Sequence, residues 1–277
     1  MLRVEGQAAA ARWDCHVHVF DAAAPVAPGH YVPSHRPLAA IEALAQSNGF
    51  ERLVLVQPSV YGTDNTVLLD ALKARQGRHR GVVVIDASIS DAALADMHAL
   101  GVRGVRFNLV SPVGSGVAAD TATVFNRLAP RLRALGWHVQ WYPRPGDLPV
   151  IAALHASPVA QGVPAVLDHL AGMHAQLPPD DAAWQVLAGL AQSGAWVKLS
   201  GWYRLQASAP YDVLDSAISR VAALFGTRLV WGSDWPHTSF APDALPSYAS
   251  TWQPVARVLT AAQQAGLSCD APARLYA

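Results

Sequence analysis

Trp13-Asp-Cys-His-Val-His-Val-Phe20 is a short β-prone run, and seven more of its kind follow along the chain. They are Arg52–Gln57, Gly81–Asp86, Val102–Asn108, Trp137–Tyr142, Pro164–His169, Trp196–Ser200 and Arg228–Asp234. Near-continuous apolar runs suit strands buried on both faces, as in a parallel sheet. Helical patterns fill the gaps. Leu214, Ile218, Val221 and Phe225 share one helical face, and Gly226 is placed to end that helix just before the eighth run. Pro37–Ala45 and Asn65–Ala74 read likewise. Asp91 is placed to cap a helix running to Leu100, with Gly101 as its stop. Pro130, inside Asp120–Leu135, predicts a kink or two short helices. Eight strands alternating with about eight helices predict a (β/α)8 TIM barrel in a single domain over residues 1–277. A doubly wound open sheet lacks its mark here. Gly114-Ser-Gly116 follows Pro112 and does not open a helix, as a phosphate-binding loop must.

The composition agrees with a globular enzyme-sized chain. It has 277 residues, 52% hydrophobic and 14% charged, which excludes a disordered chain and allows a large core. Twenty Lys and Arg balance 20 Asp and Glu, so no net charge steers the chain to nucleic acid or an anionic membrane. Two cysteines, Cys15 and Cys269, point to a reduced, cytoplasmic protein rather than a disulfide scaffold. Glu5 interrupts the N-terminus, and Ala8–Ala11 is too short for a secretion signal. Leu148–Leu167 carries no charge but contains Pro149, Pro158 and Pro164, which suits a soluble loop and strand better than a membrane span. The oligomeric state is left open.

A barrel places its chemistry at the C-terminal ends of the strands. There the chain offers His16 and His18 in the first run, Ser59 and Tyr61 after the second, Asp86 at the third and Arg106 and Asn108 in the fourth. Tyr142 and Arg144 follow at the fifth, Asp168 and His169 at the sixth, Ser200, Tyr203 and Arg204 at the seventh, and Asp234 and His237 at the eighth. His16 and His18, two apart on a strand, point to one face, where imidazoles suit either metal ligation or donation to an oxyanion. Asp234, between Trp231 and Trp235, is expected to be desolvated and its pKa raised toward base duty. Asp168 is placed to orient a neighbour. Arg106 and Arg204 suit an anionic substrate or a structural salt bridge equally, since 18 of the 20 basic residues are Arg. Tyr31, Ser59 and Tyr142 rank lower on physical grounds, because lone loop hydroxyls are usually just satisfied polar groups.

Asp14-x-His16-x-His18, His169 and the stretch Trp231-Gly-Ser-Asp-Trp-Pro-His237 resemble the amidohydrolase superfamily. Val56-Gln-Pro-Ser59 with Gly62-Thr-Asp-Asn65, Gly104-Val-Arg-Phe-Asn108 and Val166-Leu-Asp-His169 are similar to its 2-pyrone-4,6-dicarboxylate lactonase-like branch. The resemblance runs from about Trp13 to Tyr276. It implies hydrolysis of a small anionic lactone without a metal cofactor. His16, His18 and His169 would then polarise the lactone carbonyl, and Asp234 would take a proton from the attacking water. Tyr31, Ser59, Arg106, Tyr142, Arg204 and His237 would bind the substrate or line its pocket.

The lysine positions argue against a two-metal site bridged by a carboxylated lysine. Lys73 lies in a helix and Lys198 inside the seventh run, whereas Asn108 and Tyr142 stand where such a bridge would be. One Zn²⁺ on His16, His18 and Asp234, with or without His169, stays open, as in a metal-dependent amidohydrolase or decarboxylase. Two departures bear on the substrate. No Arg or Lys occurs in Leu109–Gly116, and Leu170-Ala-Gly172 stands where the family has an arginine after the histidine. A dicarboxylated pyrone and a monoanionic or sugar-derived lactone are therefore both open. Leu109–Ala119, rich in Gly, Pro and Ser, is expected to form a mobile or partner-supplied loop over the pocket.

Overall fold

The strands pair in sequence order, all parallel: β1 (Trp13–Val17), β2 (Arg52–Val56), β3 (Arg80–Val83), β4 (Val102–Asn108), β5 (His138–Tyr142), β6 (Ala165–Leu167), β7 (Trp196–Leu199) and β8 (Leu229–Trp231). This is a computed structural model, describing residues 10–26, 32–110, 118–241 and 243–277. Backbone bonds draw the β8–β1 seam together, Asp234 N donating to His16 O at 2.8 Å and His18 N to Trp235 O at 2.9 Å. Helices α1 (Leu38–Ser47), α2 (Thr66–Ala74), α3 (Asp91–Leu100), α4 (Ala118–Ala134), α5 (Leu148–Ala156), α6 (Ala183–Gln192), α7 (Asp215–Phe225) and α8 (Tyr248–Val258) follow the successive strands. The expected (β/α)8 barrel is the observed one.

Period-two alternation builds two apolar layers from these strands. Outward-facing Leu53, Leu55, Val139, Trp141, Leu167, Val197 and Trp231 join helix residues such as Ile41, Phe125, Leu187 and Ile218 in one continuous layer. Burying each such side chain contributes about 1.5–3 kcal/mol. Inside, Cys15, Val54, Val56, Val82, Val166 and Val230 form a smaller layer, closed at the strand N-termini by Tyr276 stacked on Trp13 at 6.1 Å. Among the described residues no helix is long and apolar enough to cross a membrane, and both cysteines are free.

Local differences from the sequence expectation have physical causes. β3 stops at Val83, β6 at Leu167 and β8 at Trp231, short of Asp86, His169 and Asp234. His169 and Asp234 adopt positive φ of 49° and 61°, which takes them out of the ladder. Ser90, not Asp91, caps α3, its hydroxyl accepting from Ala93 N at 3.1 Å. Gly101 ends that helix at φ 104°, as expected. α4 runs unbroken through Pro130, so there are not two short helices.

A bulge in β1 decides which way its polar residues face. Asp14 opposes Leu53 and Val17 opposes Leu55, so β1 carries one extra residue. Asp14 thereby leaves the face of the two histidines. Its carboxylate accepts from Tyr248 of α8 at 2.9 Å and from the backbone N–H groups of Ser233 and His16 at 2.9 and 3.2 Å. Asp14 thus ties β1 to the β8 exit from outside the barrel, and burial pushes its carboxyl up to about 6.

Candidate active site

His16, His18, His169 and Asp234 converge at the C-terminal mouth, each buried. The centroid of the His16 ring lies 5.0 Å from that of His18 and 4.8 Å from that of His169. Asp234 Oδ1 lies 3.6 Å from His16 Nε2 and 3.5 Å from His18 Nε2. Glycines make the approach feasible. A Cβ at Gly232 would overlap His16, and one at Gly201 would overlap the His169 ring.

The carboxylate at the centre is asymmetric. Asp234 Oδ2 accepts from Arg204 Nε and from the Tyr203 hydroxyl, both at 2.6 Å, while Oδ1 carries no hydrogen bond. Burial pushes this carboxyl up, but the Arg204 guanidinium, helped by His169, His18 and His16, holds it well below the usual carboxylate range. The raised pKa expected from the flanking tryptophans is therefore corrected. Trp231 packs outward against Phe50 and Trp252, not against the carboxylate. Arg204 uses its Nε in this ion pair. Tyr203, which the residue pattern marked only as a strand-end group, shares that role. The signal for both was the adjacent pair directly after β7.

Hydrogen bonds differentiate the three imidazoles. His18 Nδ1 donates to the Val56 carbonyl at 2.8 Å, which fixes the ring with Nε2 toward Asp234. His169 Nδ1 lies 3.0 Å from the Ser200 hydroxyl, and its Nε2 is buried without a hydrogen bond. His16 Nδ1 faces Asp168 Oδ1 at 3.4 Å. Burial holds His16 well below its ordinary value and His169 at about 4, so both rings are neutral at pH 7. Asp168 sits on a buried support. Gln140 Nε2 donates to its Oδ2 at 2.9 Å and Arg106 Nε at 3.3 Å, and Lys198 Nζ, bound to Gln140 Oε1 at 2.6 Å, lies 3.7 Å from Oδ1. Burial works against this carboxylate, yet His16, Lys198 and Arg106 hold it well below the usual range. Asp168 thus stands between this support and His16.

The other expected residues ring the mouth. Ser59 accepts from Asn108 Nδ2 at 3.0 Å. Both line a cleft over β2–β4 with Arg106, Asp86 and Asp120. The Tyr142 ring meets His169 edge-on at 4.7 Å, with the Arg106 guanidinium 5.4 Å from its centroid. His237 is buried against Tyr203 at 5.8 Å, and neither of its ring nitrogens has a hydrogen bond. Tyr31 lies outside the described residues, as do residues 111–117 of the Leu109–Ala119 stretch. Among the described residues, the set whose ligand atoms lie within 4.8 Å of one another is His16, His169 and Asp234, so His169 takes the place expected for His18.

Fold and site together define a (β/α)8-barrel enzyme of the amidohydrolase class. A family model described as amidohydrolase matches residues 13–277, and the chain belongs to that family. It is 33% identical to a 4-sulfomuconolactone hydrolase of Rhizobium radiobacter over 271 residues, covering 95% of this chain and 89% of the relative. It is also 33% identical to a 2-pyrone-4,6-dicarboxylate hydrolase of Comamonas testosteroni, with the same coverage. A crystal structure from Pseudomonas putida, described as a candidate 2-pyrone-4,6-dicarboxylic acid hydrolase, superposes with a TM-score of 0.83 at 32% identity, covering 96% of this chain and 97% of that one.

Proposed function

We propose that this amidohydrolase opens the ring of a small anionic lactone, a carboxylic ester, with Asp234 as general base. One observation carries the reading: Asp234 is buried and ionised, with Oδ2 fixed by Arg204 and Tyr203 and Oδ1 open toward His16 and His18. The names of the relatives, which hydrolyse a sulfomuconolactone and a pyrone dicarboxylate, support the substrate class.

The roles follow from donors and acceptors. Asp234 Oδ1 takes a proton from water as the water oxygen attacks the lactone carbonyl. His16 and His18 bring their Nε2 edges within 3.6 Å of Asp234 Oδ1 and confine the water beside it. His169 accepts a hydrogen bond from the Ser200 hydroxyl at Nδ1, which leaves its Nε2–H to donate to the carbonyl oxygen as it becomes an oxyanion. The ring C–O bond then breaks, and the proton on Asp234 passes to the leaving oxygen. Arg106, Tyr142, Ser59 and His237 line the space for the rest of the lactone. Two free cysteines and zero net charge support a cytoplasmic setting.

A second reading rests on the same side chains. His16, His169 and Asp234 present two nitrogens and one oxygen that suit a single divalent ion such as Zn²⁺. Such an ion would supply Lewis-acid polarisation of the carbonyl. In that case the residues keep their places, with Arg204 and Tyr203 still fixing Asp234. Ring opening by metal-stripped protein, followed by absorbance, separates the two. Turnover surviving chelation supports the histidine–aspartate reading, and loss restored by Zn²⁺ supports the second.

A further inference from the structure

A second cleft opens at the same end of the barrel, where the chain leaves β1 and where it leaves β8. Phe20, Arg36, His237, Thr238 and Phe240 line it. Its base is fixed. Arg36 N donates to Phe20 O and Phe20 N to Arg36 O, both at 2.9 Å, which pins Arg36 two residues beyond His18. Arg36 is partly buried, and among the described residues its side chain has no ion pair or hydrogen bond. His237 contributes two buried ring nitrogens without partners, and its N–H is tied to Asp234 O at 3.1 Å. The cleft therefore adjoins the backbone of Asp234, and the His237 ring packs against Tyr203, whose hydroxyl holds the Asp234 carboxylate.

Charge separates the two clefts. The β2–β4 cleft holds Arg106, already shared with Asp168, together with the exposed carboxylates of Asp86 and Asp120. It offers an incoming anion little net attraction. The β1–β8 cleft has a guanidinium and, among its described lining residues, no carboxylate. An unshared guanidinium on an anchored backbone is a ready partner for a planar or tetrahedral anion.

We propose that Arg36 and His237 form an anion subsite that receives a carboxylate or sulfonate carried by the lactone. This rests on the lactone hydrolase reading and deepens it. The arginines absent after Asn108 and His169 are then replaced from the opposite side of the mouth, so the lactone's second charge points toward β1 and β8.

The test compares 2-pyrone-4,6-dicarboxylate with 2-pyrone-6-carboxylate in the wild type, Arg36→Gln and Arg36→Lys. The wild type should prefer the dicarboxylate, and Arg36→Gln should cut that preference about 10- to 100-fold, mainly through KM, as expected for a lost charged hydrogen bond. Arg36→Lys should restore part of it. An undiminished preference in Arg36→Gln overturns the proposal. Wild-type protein that opens neither pyrone rules out pyrones as substrates, while no turnover of any lactone would overturn the lactone hydrolase reading. Calorimetry with pyridine-2,4-dicarboxylate then decides the subsite: binding weakened at least tenfold in Arg36→Gln supports it, and equal binding overturns it.

Discussion

At the scale of single residues, the account divides labour among groups that look alike in the sequence. Asp234 has one oxygen held and one free, so Asp234→Asn keeps the shape but loses the base. It should lower kcat by about 10²–10⁴-fold in a protein that still folds, checked by circular dichroism. A variant retaining more than a few per cent of activity would contradict the assignment. His169 Nε2 is buried without a hydrogen bond and is placed to donate, so His169→Asn should cost about 10²–10³-fold in kcat. An equal loss in KM alone would show a binding role instead. The converging histidines and aspartate were legible from their strand-end positions. The state of Asp234 was not, because Arg204 and Tyr203 arrive from a different strand, about 30 residues away. Local neighbours such as Trp235 say nothing about such a partner.

At the scale of elements, strands were read well and their ends poorly. The apolar runs identify each strand core, but β-prone sequence continues past the last ladder bond where His169 and Asp234 turn into positive φ. The bulge in β1 was also invisible, since only the pairing with β2 shows that Asp14 and His16 are out of step. Ser90 lies one residue before the expected cap of α3. Ser90→Ala should therefore lower stability by about 1 kcal/mol, measured by urea unfolding, whereas Asp91→Ala should cost less. The reverse order would restore Asp91 as the cap. On the barrel floor, burial and the nearby Lys198 charge lower His138 to about 3 from an ordinary 6.5. Between those values the unfolded chain binds a proton that the folded chain does not. The stability from this group is complete above about pH 6.5 and is lost as pH falls toward 3. His138→Gln should flatten the decline in urea midpoint between pH 7 and pH 5, and an unchanged slope would refute this.

At the scale of the whole molecule, alternation of eight apolar runs with helical faces was enough to specify the barrel, because each run needs a helix on its outer side. A parallel barrel brings all strand C-termini to one mouth. Residues as far apart as His18 and His237 therefore meet there without any sequence signal of contact. Charge at that mouth is uneven, with carboxylates over β2–β4 and Arg36 over β1–β8. The most direct test of the central claim is ring opening by metal-stripped wild type and Asp234→Asn, across a pyrone dicarboxylate, a muconolactone and several aldonolactones. The account predicts that the wild type opens at least one anionic lactone and that Asp234→Asn opens it at least about a hundredfold more slowly. No turnover of any lactone, or equal turnover by the two proteins, would contradict it.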